Sequence, residues 1–278
     1  MLLNVSGNAA ILSEIINEMP FLVWVHSITA GVDHLLCPEL VNNDEITLTN
    51  ARGVFAGSLA EYVMLACSYF AKDIPRMKRQ QASSVWDKFM VTDLRGKTMG
   101  IVGYGNIGLH CARLAKAYGM KVLALRRNPE QSVHDKLVDT LYGPSQLDVL
   151  MKESDFLVIC MALTSETKGY VDAQHLSMAK KGQVLINIGR GALVDEAALV
   201  QVLRDGPLAG AALDVFCTEP LPADSPLWQL PNVLVSPHNA DLTSDSRQSS
   251  VRYFTQLCQK FISGEGVDEA VVDKSAGY

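Results

Sequence analysis

The chain has 278 residues, 48% of them hydrophobic and 19% charged, with a formal net charge of −6. This is the composition of a folded globular chain, with room for one large domain or two smaller ones, and it excludes a largely disordered polymer. The acidic balance, without any basic block, argues against nucleic acid as a partner, and no apolar run approaches the roughly 18 residues of a membrane helix, so no membrane partner is expected.

Taken in chain order, residues 2–5 read as a short strand, 9–19 as a helix ending before Pro20, and 21–26 as a second strand. The small-residue turn 27–33, SITAGVD, follows that strand, and in a parallel α/β sheet ligands sit at strand ends. Residues 46–49 form a further strand, and Gly53 opens a turn. Residues 58–72 read as a helix, with Ser58 and Glu61 fitting a capping box, which gives Glu61 a structural role. The segment 76–97 is polar and mixed, with Trp86 and Phe89 as anchors; it bridges two domains, forms a subunit contact or packs as an exposed loop.

The chain is organised around residues 98–127. Residues 98–102 are a buried strand, Gly103, Gly105 and Gly108 are spaced G-x-G-x-x-G, 109–118 carry apolar residues at helical spacing, Gly119 ends that helix, and 121–125 are the next strand. In such a βαβ unit the first glycine makes the tight turn, the second lets a pyrophosphate approach the backbone, and the third lets helix and strand pack closely. The helix N-terminus, at Tyr104, Asn106 and Ile107, then offers N–H groups and the positive end of the dipole to phosphates. A plain glycine-rich turn is the alternative. Where an NAD-binding strand ends in a carboxylate, this one ends in Arg126 and Arg127, which suits the 2′-phosphate of NADP; two solvated surface arginines are the other reading, and NAD stays possible.

Beyond this unit, Ser145 and Asp148 read as a capping box, 156–162 and 183–189 as apolar strands, Asp195 as the cap of a helix ending at Gly206, and 208–216 as a strand. After a proline-rich loop, 232–236 are the last strand, and 243–263 a long helix stopped by Gly264. Alternating strands and helices predict an α/β fold with a doubly wound parallel sheet. Three charged residues lie at or past strand ends in this half: Arg190 in INIGRG, Glu219 after AALDVF, and His238 after LVSP. Strand carboxyl ends share one edge of a parallel sheet, so all three converge on the edge that holds the pyrophosphate. Taken singly, each also reads as an ordinary surface or loop residue.

The six cysteines, Cys37, Cys67, Cys111, Cys160, Cys217 and Cys258, form no C-x-x-C pair, and the histidines show no ligand spacing. Reduced thiols without zinc, another metal or disulfides are expected, and with an N-terminus, MLLNVSGN, that lacks the layout of a secretory signal, a cytoplasmic protein.

The stretches SITAGVDHL, NARGVFAGSLAEYVM, LRGKTMGIVGYGNIG, FLVICMALTSETKGYV, QVLINIGRGALVDEAAL, GAALDVFCTEPLP and SPLWQLPNVLVSPHNA are collinear over nearly the whole chain. In them the chain resembles the D-2-hydroxyacid dehydrogenases, especially the glyoxylate/hydroxypyruvate reductase branch. The resemblance implies an oxidoreductase that transfers hydride from NADPH to a small 2-oxo acid, giving a D-2-hydroxy acid. Arg190 would bind the substrate carboxylate and carbonyl oxygen, His238 would donate the proton, Glu219 would orient His238, and N–H groups near Ala30 and Gly31 would hold the substrate carboxylate. Asp214 is similar to the aspartate that meets the nicotinamide amide, and Thr164, Ile188 and Ala240 fall in cofactor-binding stretches.

The resemblance further implies a Rossmann domain, residues 73–243, a smaller flavodoxin-like substrate domain, residues 1–72 plus 244–278, and a homodimer built on the nucleotide domain. Two departures stand out. Met161-Ala162-Leu163-Thr164 replaces a Leu-Pro-Leu-Thr, and the βαβα segment that precedes the first strand in the family is missing, which leaves the substrate domain incomplete. Two other readings accompany the enzyme: a dinucleotide-sensing binding protein, and a truncated chain with little activity.

Overall fold

The computed structural model describes residues 2–4, 8–132 and 134–278, with the side chains described from residue 8 onward. Its contacts form two compact units, Met1–Ala56 with Ala162–Ser165 and Asp241–Tyr278, and Gly57–Met161 with Glu166–Ala240. Compared with the expected division, residues 57–72 cluster with the second unit, and residues 162–165 and 241–243 with the first. Ser58 and Tyr62 hydrogen-bond the 236–240 turn, and the Phe70 ring fills the space left by the missing side chain of Gly210.

In the first unit β1 (Leu2–Asn4), α1 (Ala9–Glu18), β2 (Trp24–Ser27), α2 (Pro38–Val41) and β3 (Thr47–Asn50) build a parallel three-stranded sheet in the order β1-β2-β3. Val5, expected in the first strand, lies outside the described residues. Asn8 caps α1 by accepting the Ile11 N–H at 3.0 Å. The chain then turns, with the Leu22 N–H on the Met19 carbonyl and Phe21 exposed, so β2 begins later than the expected residue 21. Leu12, Ile16, Val25, Leu35, Leu40, Leu48 and Val272 form its core, each large aliphatic side chain stabilising the fold by about 1.5–3 kcal/mol.

The second unit begins with α3 (Ala56–Ala71) and α4 (Ile74–Ala82) and continues through β4 (Thr98–Val102), α5 (Asn106–Ala117), β5 (Lys121–Leu125), β6 (Thr140–Tyr142), α6 (Leu147–Glu153), β7 (Phe156–Ile159), α7 (Ala173–Ser177), β8 (Val184–Asn187), α8 (Glu196–Asp205), β9 (Gly210–Leu213) and β10 (Val233–Val235). The seven strands run parallel in the order β10-β9-β8-β7-β4-β5-β6, a doubly wound Rossmann-type sheet. β7, β8 and β9 are buried at every position, as strands covered on both faces must be. The terminal helix α9 (Ser246–Ser263) belongs to the first unit and ends at Gly264 with φ 77°.

β4, β5 and α8 match the expected bounds closely, and Asp195 caps α8 through the Ala198 N–H at 3.0 Å. The strands expected at 156–162, 183–189 and 208–216 are shorter, because the backbone leaves the ladder where it turns toward the carboxyl edge. The two capping boxes take a different form. Ser58 lies inside α3 with its hydroxyl on the Ala240 carbonyl, and at α6 the Gln146 side chain accepts the Gly143 N–H while Asp148 pairs with Lys152.

Candidate active site

Strand register sets the geometry of the site. Tyr142, Leu125, Val102, Ile159, Asn187, Leu213 and Val235 pair in one transverse row across the seven strands. Each residue just beyond that row leaves the sheet at its carboxyl edge. Arg126 and Arg127 follow β5, Gly103 follows β4, Ile188 to Arg190 follow β8, Asp214 follows β9, and Ser236 to His238 follow β10. At about 4.8 Å per strand the edge from β5 to β10 spans about 24 Å.

The glycine turn lies where the strand order reverses, between β4 and β7. Gly103 has φ 104°, and a Cβ there would stand 2.6 Å from the Met161 backbone nitrogen. A Cβ on Gly108 would meet the Gly103 carbonyl oxygen at 2.7 Å, while one on Gly105 would meet nothing within 4 Å. Gly105 begins α5 without a side-chain cap, so the N–H groups of Asn106, Ile107 and Gly108 lack intrahelical acceptors. This cradle fits a dinucleotide pyrophosphate. The Cys160 thiol braces it from below with a hydrogen bond to the Gly103 carbonyl at 3.2 Å. Tyr104, expected to offer its N–H here, is held elsewhere: that N–H donates to the Leu125 carbonyl at 3.0 Å, and the buried side chain donates its hydroxyl to Asp135 at 2.6 Å.

At the end of β5, Arg126 spreads over the turn Pro129–Ser132, donating to Ser132 Oγ and, at 2.7 Å, to Gln131 Oε1. Arg127 lies 3.3 Å from Glu166 in an exposed pair. No carboxylate occupies the first positions after β5.

His238 is one of few non-glycine residues with positive φ, 50°. Its N–H donates to the Asp214 and Ser236 carbonyls, and its Nδ1 lies 2.7 Å from Glu219 Oε2. The other Glu219 oxygen accepts the Phe216 N–H at 3.0 Å. A carboxylate only accepts, so the imidazole carries its proton on Nδ1 and leaves Nε2 for a ligand. Arg190 stands at the start of a 3-10 turn, with one guanidinium N–H on the Gly189 carbonyl and its own carbonyl accepting from Asn187. Gly191 lets this loop press against the loop of Glu219, because a Cβ there would overlap the Phe216 carbonyl carbon at 1.9 Å.

Asp214, only 2% exposed, accepts hydrogen bonds from Ser236 Oγ (2.7 Å), the Asn239 N–H (3.0 Å) and the Ala240 N–H (3.2 Å). Sequence reasoning linked Asp214 to the cofactor and passed over its grip on the histidine turn. Asn187, Ser236 and Tyr62 were not singled out in the sequence, and Ser58 was read only as half of a capping box. Ala30, Gly31 and Thr164 lie in the first unit. The Ala30 carbonyl accepts from Asn50 at 2.6 Å, and the Gly31 carbonyl from Thr29 at 2.9 Å. Among the described residues no group of His, Cys, Asp and Glu side chains could hold a metal, and no helix is long and apolar enough to cross a membrane.

Residues 63–240 match the family described as D-isomer specific 2-hydroxyacid dehydrogenase, NAD binding domain. The chain belongs to this family. A glyoxylate reductase of Thermofilum pendens is 32% identical over 268 residues, 94% of this chain and 78% of the relative. An NADPH-dependent glyoxylate/hydroxypyruvate reductase from Sinorhizobium meliloti, solved with NADP and sulfate, superposes with TM-score 0.84 at 32% identity, covering 95% of this chain and 83% of that one. A D-isomer specific 2-hydroxyacid dehydrogenase from Xanthobacter autotrophicus Py2, solved with NADPH and MES, gives TM-score 0.84 at 32% identity, over 95% and 81%. Within the family this chain sits in the glyoxylate/hydroxypyruvate reductase branch, and a nicotinamide dinucleotide is its cofactor.

Proposed function

We propose that this dehydrogenase reduces a small 2-oxo acid of the glyoxylate or hydroxypyruvate kind to a D-2-hydroxy acid, with NADPH preferred over NADH. The observation that carries the reading is the His238–Glu219 pair at 2.7 Å, on the same sheet edge as the uncapped glycine turn. Bound NADPH supplies the hydride to the substrate carbonyl carbon. Arg190 presents a planar guanidinium to the substrate carboxylate and carbonyl oxygen, and it stabilises the negative charge that grows on that oxygen. His238 delivers a proton to the same oxygen from Nε2, the nitrogen turned away from Glu219. Glu219 fixes the ring and its tautomer, and is itself held by Phe216. Asp214 holds the turn that carries the acid, and it would meet the nicotinamide amide of the bound cofactor.

The preference for NADPH rests on Arg126, Arg127 and the Ser132 hydroxyl, a donor set for a 2′-phosphate where a carboxylate would repel it. A homodimer would cover the segment that carries Trp86 and Met90, which are 93% and 95% exposed. Six free cysteines suit a reducing cytoplasm.

The test is oxidation of NADPH, with NADH in parallel, by the purified chain with glyoxylate and hydroxypyruvate. Turnover favouring NADPH, and loss of that preference in an Arg126→Ala/Arg127→Ala variant, supports the reading. Equal use of NADH by the unaltered chain removes the arginines from cofactor choice, and no turnover with either cofactor contradicts the reductase.

A further inference from the structure

The turn that carries His238 is held from a second direction, by helix α3. Ser58 and Tyr62 are four residues apart and share one face of that helix. Ser58 Oγ donates to the Ala240 carbonyl at 2.6 Å, and the Tyr62 hydroxyl lies 2.6 Å from Ser236 Oγ. Ser236 Oγ in turn lies 2.7 Å from Asp214 Oδ1, and Asp214 grips the N–H groups of Asn239 and Ala240 on the far side of the histidine.

The direction of this chain of hydrogen bonds follows from its end. All three partners of the Asp214 carboxylate are donors, so the Ser236 hydrogen points at Asp214. A hydroxyl has one hydrogen, so Ser236 can only accept from Tyr62, and Tyr62 must donate. Burial pushes the Tyr62 phenol up from its ordinary value, which keeps it a donor throughout the working range. The competing acceptor for Ser236, the Leu213 carbonyl, is farther away at 3.5 Å. The run Tyr62 to Ser236 to Asp214 is therefore ordered, with each group holding the next. His238 occupies a left-handed conformation that a non-glycine residue adopts at a cost, and it keeps that conformation because its surroundings are fixed on both sides.

We infer that Tyr62 and Ser236 are positioning residues for the proton donor, acting through Asp214 to set the His238 turn. The inference rests on the reading of His238 as the acid. Phenylalanine at 62 would leave Ser236 without its donor and free its hydroxyl to turn from Asp214, so that the imidazole sits loosely over the substrate. The effect falls on turnover rather than on cofactor affinity, because the glycine cradle is untouched.

The experiment compares Tyr62→Phe, Ser236→Ala, Ser236→Thr, the Tyr62→Phe/Ser236→Ala double variant and His238→Ala in kcat, KM for NADPH, thermal midpoint, and the kinetic isotope effect with deuterated NADPH. Tyr62→Phe and Ser236→Ala each lower kcat about tenfold, the value of one lost hydrogen bond of this kind, with little change in KM for NADPH. The isotope effect rises as the chemical step becomes more limiting. Threonine at 236 keeps the hydroxyl and restores turnover, and the double variant is no worse than Ser236→Ala alone. Wild-type kcat in Tyr62→Phe, multiplying effects in the double variant, or a kcat loss that only tracks a falling thermal midpoint would overturn the relay. An inactive His238→Ala beside an unimpaired Tyr62→Phe removes the relay alone, whereas an active His238→Ala removes the reading beneath it.

Discussion

Glu219 and His238 are joined by a single hydrogen bond of 2.7 Å between Oε2 and Nδ1, while the second carboxylate oxygen holds the Phe216 N–H. The glutamate therefore faces two donors, and glutamine cannot replace it. A glutamine offers one acceptor oxygen and one NH2 group, so either Phe216 or His238 loses its partner. If the amide keeps Phe216, its NH2 points at Nδ1 and forces the opposite tautomer. Glu219→Gln is expected to lower kcat about 10- to 100-fold, the range for a hydrogen bond to a charged group. Steady-state kinetics with NADPH checks this, and an unchanged kcat would remove Glu219 from orienting the ring.

The glycines of the turn are separable by stability and affinity. Gly103→Ala puts a Cβ on a residue with φ 104°, against the Met161 backbone. The conformation alone costs about 1–2 kcal/mol, so this variant melts lower. Gly105→Ala places its Cβ in open space, so it folds like the parent but obstructs the pyrophosphate. Thermal melting and NADPH titration, run on both, should show low stability in the first and weak cofactor binding with normal melting in the second. Normal NADPH affinity in Gly105→Ala would contradict the cradle.

Stability should also depend on pH through a residue far from the chemistry. His26 on β2 is fully buried, with Nδ1 on Thr49 Oγ1 at 2.7 Å, its ring stacked on Phe254, and Nε2 without a partner among the described residues. Burial disfavours the charged ring and lowers its pKa from 6.5 to about 4. Between those values the unfolded chain binds more protons than the folded one, so the free energy of unfolding rises with pH. The contribution is fully present above pH 6.5 and is lost as pH falls toward 4, for a total of about 3 kcal/mol. Denaturant unfolding from pH 7 to 4 should show that loss, and His26→Asn should flatten the slope. An equal slope in the variant would place the dependence elsewhere.

The βαβ unit was legible because glycines punctuate it and its strands are apolar throughout, and β4 and β5 fall at the expected residues. Asp195 and Gly264 were legible for the same kind of reason, since a cap is a local choice of residue. Four elements were not: α2 is a single turn of four residues, and the other three fail for similar reasons. α4 buries none of its residues, so it shows no apolar stripe; β6 has three residues and α7 five, too few for a period to register. The misread box at Ser58 has a different cause. Its hydroxyl serves a carbonyl 182 positions away, and nothing local distinguishes that use from a cap. The charged residues at the strand ends could be placed on one edge by topology alone. The bonds that hold them could not, because Tyr62 and Ser236 stand 174 positions apart and only the folded sheet brings them together.

His238 as the proton donor of carbonyl reduction is tested most directly by kcat of His238→Ala set beside its dissociation constant for NADPH. The expected result is a fall in kcat of about 10²- to 10⁴-fold, the usual contribution of a general acid, with NADPH bound nearly as tightly as by the parent. Turnover at the parent's rate would contradict it.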